Sequence, residues 1–275
     1  MTSHTNNPID NDLLNTDVLP IKGLENTNIC ILGFKDQCSK IFNHILHNPQ
    51  GYVCVANVHM IIEALNDKKF LQVLNKSTFI VPDGVPLVWL LRRKNKKIER
   101  VAGYDLCIDL CSKAEKNNLS VIFYGSTNEV LAKIKKNILL KFPDLNIAGM
   151  ISPPFGEVSD KKLIEINSKI QKLNPNIIFV ALGCPKQEIW MHNQFKKFNS
   201  LMIGVGGAFP LLAGEQSRAP SFIRRSGFEW LYRLILEPRR LWKRYMVTNT
   251  KFIIELLRSI YHNVVEKLGK DKEKI

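Results

Sequence analysis

The sequence predicts an α/β fold in which a parallel β-sheet is covered by helices on both faces. Short apolar runs alternate along the chain with segments whose apolar residues recur at helical spacing. The runs are apolar throughout, as strands buried on both faces are. The chain has 275 residues, of which 45% are hydrophobic. This excludes a disordered protein and a small disulfide scaffold, and it suits one globular domain, alone or with an appendage.

Each predicted element follows from its local pattern. The strands are the apolar runs that end at glycine, proline or a polar residue, at 28–33, 52–56, 78–81, 120–124, 146–151, 177–182 and 201–205. The helices are the segments of helical periodicity between them, at 37–47, 58–66, 85–93, 104–117, 130–142 and 161–173. The domain organisation predicted is a flexible polar leader at 1–22, a core at 23–215 and a helical appendage at 216–275.

The charge of the chain points to an anionic partner. There are 39 Lys and Arg against 25 Asp and Glu, a net charge of +14, which is typical of proteins that bind nucleic acid, membrane surfaces or phosphorylated substrates. Residues 216–275 contain 14 Lys and Arg and 6 Asp and Glu, so +8 of the excess lies there. That segment is also rich in Trp, Tyr, Phe, Leu and Ile at helical spacing. It is either a helix pair docked on the core or a basic amphipathic surface for anionic lipid, and both can hold on different faces.

The residues that follow the predicted strands are the candidates for chemistry, because ligands bind beyond the carboxyl ends of parallel strands. Asp83 follows the strand at 78–81 in a Pro-Asp-Gly turn. A carboxylate there can take a proton from an attacking hydroxyl group. The alternative is a turn aspartate that accepts hydrogen bonds from neighbouring backbone N–H groups.

Two more glycine-containing loops follow strands. In the run Gly-Cys-Pro-Lys-Gln-Glu at 183–188, Gly183 allows close approach of the backbone, Lys186 can meet a phosphate and Gln187 can bond a sugar hydroxyl. The alternative is an ordinary helix start, and helix N-termini also bind anions. Gly206 and Gly207 resemble a phosphate or sugar-nucleotide loop, but match neither the dinucleotide fingerprint nor a Walker A loop.

Other signals exclude classes of protein. The six cysteines form no CxxC pair and most lie in apolar runs, which predicts free thiols in a reduced cytoplasmic protein. No run of 18 apolar residues exists and the N-terminus does not resemble a signal peptide, so we expect no membrane-spanning helix. The D-x-D spacing at 10–12 lies in the polar leader and is interpreted as solvated. We therefore expect no essential metal and no cofactor. If the reaction releases a diphosphate group, protein cations or helix N-termini would stabilise its charge.

Seven motifs in order resemble the WecG/TagA/CpsF glycosyltransferases (glycosyltransferase family 26). They are V-A-N at 55–57, P-D-G at 82–84, R-V-A-G-Y-D-L at 100–106, L-G-C-P-K-Q-E at 182–188, G-V-G-G-A-F at 204–209, A-G and R-A-P at 213–214 and 218–220, and E-W-L-Y-R-L and E-P-R-R at 229–234 and 237–240. The resemblance implies an α/β fold with a Rossmann-like, mostly parallel sheet flanked by helices, and a C-terminal helical appendage.

The resemblance also implies an activity. It is the inverting transfer of a hexosyl unit, of the N-acetylmannosamine type, from a UDP-sugar to a polyprenyl-diphosphate-linked sugar in bacterial cell-surface polysaccharide synthesis. Such an enzyme would lie on the inner face of the cytoplasmic membrane and would not need a metal. The same chemistry with a glucosyl or N-acetylmannosaminuronic acid unit, in exopolysaccharide or capsule assembly, is the alternative.

The resemblance assigns roles by motif. Asp83 is the general base, and Asn57 and Gln187 line the sugar site. The other donor-binding positions are Gly84, Arg100, Asp105, Gly183, Lys186, Gly206 and Gly207, and the lipid-diphosphate positions are Arg218, Arg225, Arg233 and Arg240. Many members carry Thr where this chain has Val55, so a hydroxyl group that could contact the sugar or the acceptor is absent.

Two hypotheses of other classes remain at this stage. A nucleic-acid-binding protein could use the basic C-terminal segment, although the aromatic and aliphatic residues within it and the absence of a nucleic-acid motif argue against this partner. A non-catalytic sugar-nucleotide-binding module is the second, and the presence of Asp83, Gln187 and Asn57 argues against it. The sequence leaves the oligomeric state open, with a homo-oligomer among the arrangements.

Overall fold

The computed structural model describes the backbone of residues 16–92, 95–156, 158–226 and 228–272, and the side chains of these residues except 225, 240, 244, 260 and 262–272. The strands in chain order are β1 (Thr16–Val18), β2 (Asn28–Cys30), β3 (Gly51–Ala56), β4 (Phe79–Pro82), β5 (Ser120–Gly125), β6 (Asn146–Ile151), β7 (Ile177–Ala181) and β8 (Leu201–Gly204). The helices are α1 (Phe34–His47), α2 (Val58–Asn66), α3 (Lys68–Asn75), α4 (Val85–Arg92), α5 (Gly103–Lys116), α6 (Asn128–Lys141), α7 (Asp160–Leu173), α8 (Lys186–Gln194), α9 (Ala208–Leu212), α10 (Ser221–Ser226), α11 (Glu229–Leu236) and α12 (Pro238–Lys272).

Six parallel strands form the central sheet, in the order β4-β3-β8-β7-β5-β6. The chain fills one edge with β3 and β4, crosses to β5 and β6 at the other edge, and returns through β7 to β8 beside β3. The carboxyl ends of all six strands therefore lie along one rim. The predicted Rossmann-like α/β fold with C-terminal helices is confirmed.

Both faces of this sheet are covered, which explains why the strands are apolar throughout. In β3, Tyr52 and Cys54 belong to the apolar cluster on one face, whereas Val53 and Val55 belong to the cluster on the other. Side chains of a strand alternate between faces, so every position of a doubly covered strand must be apolar. Helices α2, α3, α7 and α8 contribute to the first cluster, and α1, α5, α6 and α9 to the second.

The N-terminal part of the chain differs from its prediction in two ways. Asn28–Cys30 does not join the parallel sheet but pairs antiparallel with Thr16–Val18 in a separate two-stranded sheet. The predicted flexible leader at 1–22 is wrong for its last seven residues, because Leu19 and Ile21 are buried in the core beyond β1. Leu19 and Ile21 lie in a short run, Val18 to Leu24, that has neither helical nor strand periodicity, so the sequence did not reveal their burial. Residues 1–15 lie outside the described residues.

The C-terminal helices dock on the core through one face. Helix α12 packs against α2, and Leu241 and Phe252 of α12 are buried. The hydroxyl group of Ser259 donates to the backbone oxygen of Pro20 at 2.8 Å. The side chains left exposed include many large apolar ones, among them Ile235, Trp242, Met246, Ile253, Leu257 and Tyr261. In the described part of the chain, no helix combines the length and apolar character that crossing a bilayer requires.

Candidate active site

A cavity of about 720 Å³ lies at the carboxyl ends of the strands, where the sequence predicted the site. Eight site residues predicted in the segment 23–215 line it: Asn57, Asp83, Arg100, Gly183, Lys186, Gln187, Gly206 and Gly207. The C-terminal segment completes the wall with Arg218 and Arg233. Residues from four separate strand ends and from the appendage thus meet in one space.

Four other predicted site residues are not among the described residues that line the cavity. Gly84 packs behind it, where an added Cβ would lie 3.5 Å from Cα of Asn57. Asp105 lies outside the cavity wall and pairs with Arg218. The side chains of Arg225 and Arg240 lie outside the described residues, so their predicted contact with a lipid diphosphate stays a prediction.

Asp83 and Asn57 are fixed by the ends of two neighbouring strands. Asp83 directly follows β4, and its backbone N–H donates to the carbonyl of Ala56 at the end of β3 at 2.8 Å. Asn57 directly follows β3 and caps α2, since its Oδ1 accepts from the backbone N–H of Met60 at 3.1 Å. The parallel register therefore places these two polar side chains side by side at the rim.

The carboxylate of Asp83 belongs to a chain of three charged groups. Arg100 donates from Nε to Oδ1 of Asp83 at 3.0 Å and from Nη1 to Oε2 of Glu229 at 2.6 Å. The pKa of Asp83 lies above its ordinary value because burial raises it; Arg100 acts to lower it and Glu229 to raise it. A carboxyl group with a raised pKa is a stronger base than a free aspartate.

Glu229 is a charged side chain of the cavity wall that the sequence analysis did not assign to the site. It lies at the first residue of α11 and lines the cavity, although it is 129 residues from Arg100 in the chain. The sequence offered only its place in the E-W-L-Y-R-L motif. A contact between the appendage and the core is tertiary, and one sequence gives no signal for it.

Gln187 is held at the start of α8 by its neighbour. Its Nε2 donates to Oε1 of the buried Glu188 at 2.7 Å, and burial raises the pKa of Glu188 to about 7. Gly204 and Gly206 give the amide its room, because an added Cβ at either position would lie 3.0 to 3.2 Å from a Gln187 side-chain atom. The alternative that 183–188 begins a helix is confirmed, because α8 starts at Lys186. Gln187 also lines the cavity.

The appendage supplies cations to the cavity. Arg218 pairs with Asp105, and its guanidinium lies 4.5 Å from the ring centroid of Tyr104. Arg233 approaches Gly207 so closely that an added Cβ there would lie 2.8 Å from Nη2. Together with Lys186, these side chains line the cavity with positive charge, which suits a bound diphosphate.

The remaining predictions on chemistry concern thiols and metals. All six cysteines are free, five of them buried and Cys184 half-buried, as predicted. Within the described residues, no three His, Cys, Asp or Glu side chains gather at a position that could hold a metal ion. The D-x-D spacing at 10–12 lies outside those residues.

Comparison with known proteins finds relatives that align over most of this chain. An N-acetylglucosaminyldiphosphoundecaprenol N-acetyl-beta-D-mannosaminyltransferase of Bacillus subtilis (strain 168) is 36% identical over 240 residues, which cover 86% of this chain and 90% of that protein. Proteins of the same name in Bacillus spizizenii and Staphylococcus aureus (strain NCTC 8325 / PS 47) are 35% and 28% identical, over 77% and 84% of this chain and 80% and 87% of theirs.

The match to a family covers most of the chain. Residues 23–264 fit the glycosyl transferase WecG/TagA/CpsF family, a span that includes the central sheet, the cavity and the helices α10 and α11. The motifs that carried the resemblance line this cavity or flank it. The chain belongs to the glycosyl transferase WecG/TagA/CpsF family.

Proposed function

We propose that this protein is an inverting glycosyltransferase that moves N-acetylmannosamine from UDP-N-acetylmannosamine to a polyprenyl-diphosphate-linked N-acetylglucosamine. The names of the relatives at 35 to 36% identity support this acceptor and this sugar. The observation that carries the proposal is the placement of Asp83 at the cavity rim, bonded to Arg100 and facing the arginines of the appendage.

The proposed reaction is a single displacement at the anomeric carbon of the donor. A hydroxyl oxygen of the acceptor sugar forms the new C–O bond while the bond from the anomeric carbon to the UDP oxygen breaks. The hydroxyl proton passes to the carboxylate of Asp83, and the electron pair of the broken bond leaves with UDP. Because attack and departure occur on opposite faces of the sugar, the anomeric configuration inverts.

The cavity offers groups for each part of this reaction. Gln187 and Asn57 line the cavity and can bond sugar hydroxyl or acetamido groups, while Lys186 can meet the leaving diphosphate. Arg218 and Arg233 come from the appendage and suit the diphosphate of the lipid acceptor, because guanidinium groups bind phosphates through paired hydrogen bonds. We propose that no metal is needed, since these cations can stabilise the departing charge.

Peripheral attachment to an acidic membrane is part of the proposal. The exposed apolar side chains of α11 and α12 lie in the same segment as exposed basic residues such as Arg239 and Lys243. Basic amphipathic helices bind anionic lipid through both features. This surface would bring the cavity to a lipid-linked acceptor, and it accounts for the basic segment without nucleic acid.

The decisive experiment offers a panel of UDP-sugars with a short-chain polyprenyl-diphosphate N-acetylglucosamine. We expect transfer from UDP-N-acetylmannosamine, with the product mass increased by one N-acetylhexosamine and an inverted anomeric centre by NMR. Preference for UDP-glucose or for the uronic acid donor would contradict N-acetylmannosamine as the transferred sugar and leave the reaction type unchanged. No transfer from any donor, with the Bacillus subtilis relative active in parallel, would refute it.

A second experiment tests the membrane partner. Flotation with anionic vesicles is compared with binding to duplex DNA over a range of salt concentrations. We expect flotation with vesicles and no specific affinity for the duplex. Duplex binding that falls steeply with salt, together with no flotation, would favour the nucleic-acid hypothesis instead.

A further inference from the structure

Arg100 connects the C-terminal appendage to Asp83, the proposed base. Glu229 begins α11 in the C-terminal segment, whereas Asp83 and Arg100 belong to the core. The side chains of Glu229, Arg100 and Asp83 are only 16%, 21% and 26% exposed, and the ion pairs that join them are 2.6 and 3.0 Å long. Ion pairs at this depth are screened far less by water than surface pairs.

Each carboxylate takes a different nitrogen of the Arg100 guanidinium. Asp83 accepts from Nε and Glu229 accepts from Nη1. The guanidinium group is planar and rigid, so the bond to Glu229 fixes the plane from which Nε points to Asp83. Loss of that bond would let Arg100 rotate and would loosen the hydrogen bond that orients Asp83.

The charge of Glu229 matters as much as its geometry. An arginine alone beside Asp83 stabilises the ionised carboxylate and makes it a weaker base. A second carboxylate on the far side of the guanidinium offsets part of that positive charge. The charged groups that act on Asp83 among the described residues are Arg100, Glu229 and Arg233; His59, Lys186 and Arg218 also line the cavity.

We propose that Glu229 is a positioning residue for catalysis: it holds and partly neutralises Arg100, so that Asp83 stays oriented and basic. This inference rests on the proposed function, in which Asp83 is the general base. It makes the C-terminal segment a part of the catalytic machinery as well as a surface for lipid.

The test compares Glu229→Gln and Glu229→Asp with the wild-type chain, measuring kcat and KM for both substrates from pH 5 to 9. Glu215→Gln is the matched control, because Glu215 pairs with Lys133 at the surface and does not line the cavity. For Glu229→Gln we expect kcat to fall about three- to tenfold and the acid limb of its pH profile to move to lower pH. The KM for the UDP-sugar should change less than twofold. Glu229→Asp keeps a carboxylate, so its kcat and acid limb should lie between those of Glu229→Gln and the wild type. Glu215→Gln should match the wild type.

Three outcomes would overturn the inference. An unchanged acid limb in Glu229→Gln, with kcat intact, would mean that Glu229 does not act on Asp83. A rise in KM and a fall in unfolding temperature with the acid limb unmoved would mean that it only docks α11. Near-normal turnover in Asp83→Asn would show that Asp83 is not the general base, and the inference would fall with it. Absence of transfer by the wild-type chain would instead refute the proposed function.

Discussion

The side-chain amide of Gln187 donates from Nε2 to Oε1 of Glu188 at 2.7 Å, directly beneath the cavity. Oε1 of Gln187 has no hydrogen-bond partner within the described chain, and it lies beside Gly206 in the cavity wall. The bond to Glu188 therefore fixes the orientation of the amide, with Nε2 towards Glu188 and the buried Oε1 towards Gly206.

We predict that Glu188 makes the stability of the protein fall as pH rises. Burial raises its pKa from 4.5 to about 7 in the folded chain. Between these two values the folded state holds a proton that the unfolded state has lost, so the free energy of unfolding decreases with rising pH, by at most about 1.4 kcal/mol for each pH unit. Glu188→Gln should remove this slope. Chemical denaturation at intervals from pH 4.5 to 8 measures it.

The matched control for this experiment is Glu165→Gln. Glu165 lies on the surface of α7 beside Lys162, so its replacement should leave the slope between pH 5 and 7 in place. A Glu188→Gln profile parallel to that of the wild type would contradict the prediction, because it would mean that Glu188 keeps an ordinary pKa in the folded chain.

Asp83→Asn should fold normally and lose most of its turnover. The amide oxygen can still accept from Nε of Arg100, so the hydrogen bond at 3.0 Å has a replacement. The amide cannot accept the acceptor proton, and loss of general-base catalysis typically costs roughly 10²- to 10⁴-fold in kcat. Transfer kinetics and a thermal unfolding scan measure the two effects. Asp144→Asn, at the exposed turn before β6, is the control, and near-normal turnover in Asp83→Asn would remove Asp83 from the mechanism.

Much of this site could be predicted because its residues follow buried strands. The continuous apolar run at 52–56 fixes β3, and the Pro-Asp-Gly turn fixes the end of β4, so Asn57 and Asp83 had to lie at the same rim. Helix α3 was missed because the helical pattern stops at Asp67, which ends α2 and caps α3 within one residue. One long helix and two helices separated by a capping residue give similar sequence patterns, and only the backbone geometry at Asp67 distinguishes them.

The pairings within the site could not be predicted. Arg100 and Arg218 were both identified as site residues, but their partners Glu229 and Asp105 lie 129 and 113 residues away in the chain. Such pairs depend on how the appendage docks, which local patterns do not encode. Asp105 was accordingly assigned to the donor although the structure places it outside the cavity wall and against Arg218.

The exposed apolar face of α12 should govern vesicle binding. Trp242, Ile253 and Leu257 are 56 to 61% exposed and are spaced to lie along one side of the helix, away from the buried Leu241 and Phe252. Replacing all three with Ser should weaken flotation with anionic vesicles about tenfold or more, since burial of each large apolar side chain is worth roughly 1.5–3 kcal/mol when complete. Transfer to a soluble short-chain acceptor should be retained.

The control for this surface is Leu140→Ser. Leu140 is 74% exposed on α6 of the core, so it tests whether any exposed apolar side chain supports flotation. Equal losses in the control and the triple variant would indicate general adsorption to lipid. Unchanged flotation in the triple variant would mean that the apolar face of α12 serves another contact.

Arg218 should act on the lipid acceptor rather than on the donor. It enters the cavity from the appendage, packed over Tyr104 and paired with Asp105, so its guanidinium is already oriented before a ligand binds. Arg218→Ala should raise the KM for the polyprenyl-diphosphate acceptor about 10- to 100-fold, the range for a lost hydrogen bond to a charged group. Arg218→Lys should recover only part of this affinity, because an ammonium group lacks the paired donors. Arg92→Ala is the control, since Arg92 is exposed on α4 of the core and does not line the cavity. Steady-state kinetics with each substrate varied in turn separates the two diphosphates. A rise in the KM for the UDP-sugar alone would assign Arg218 to the donor instead.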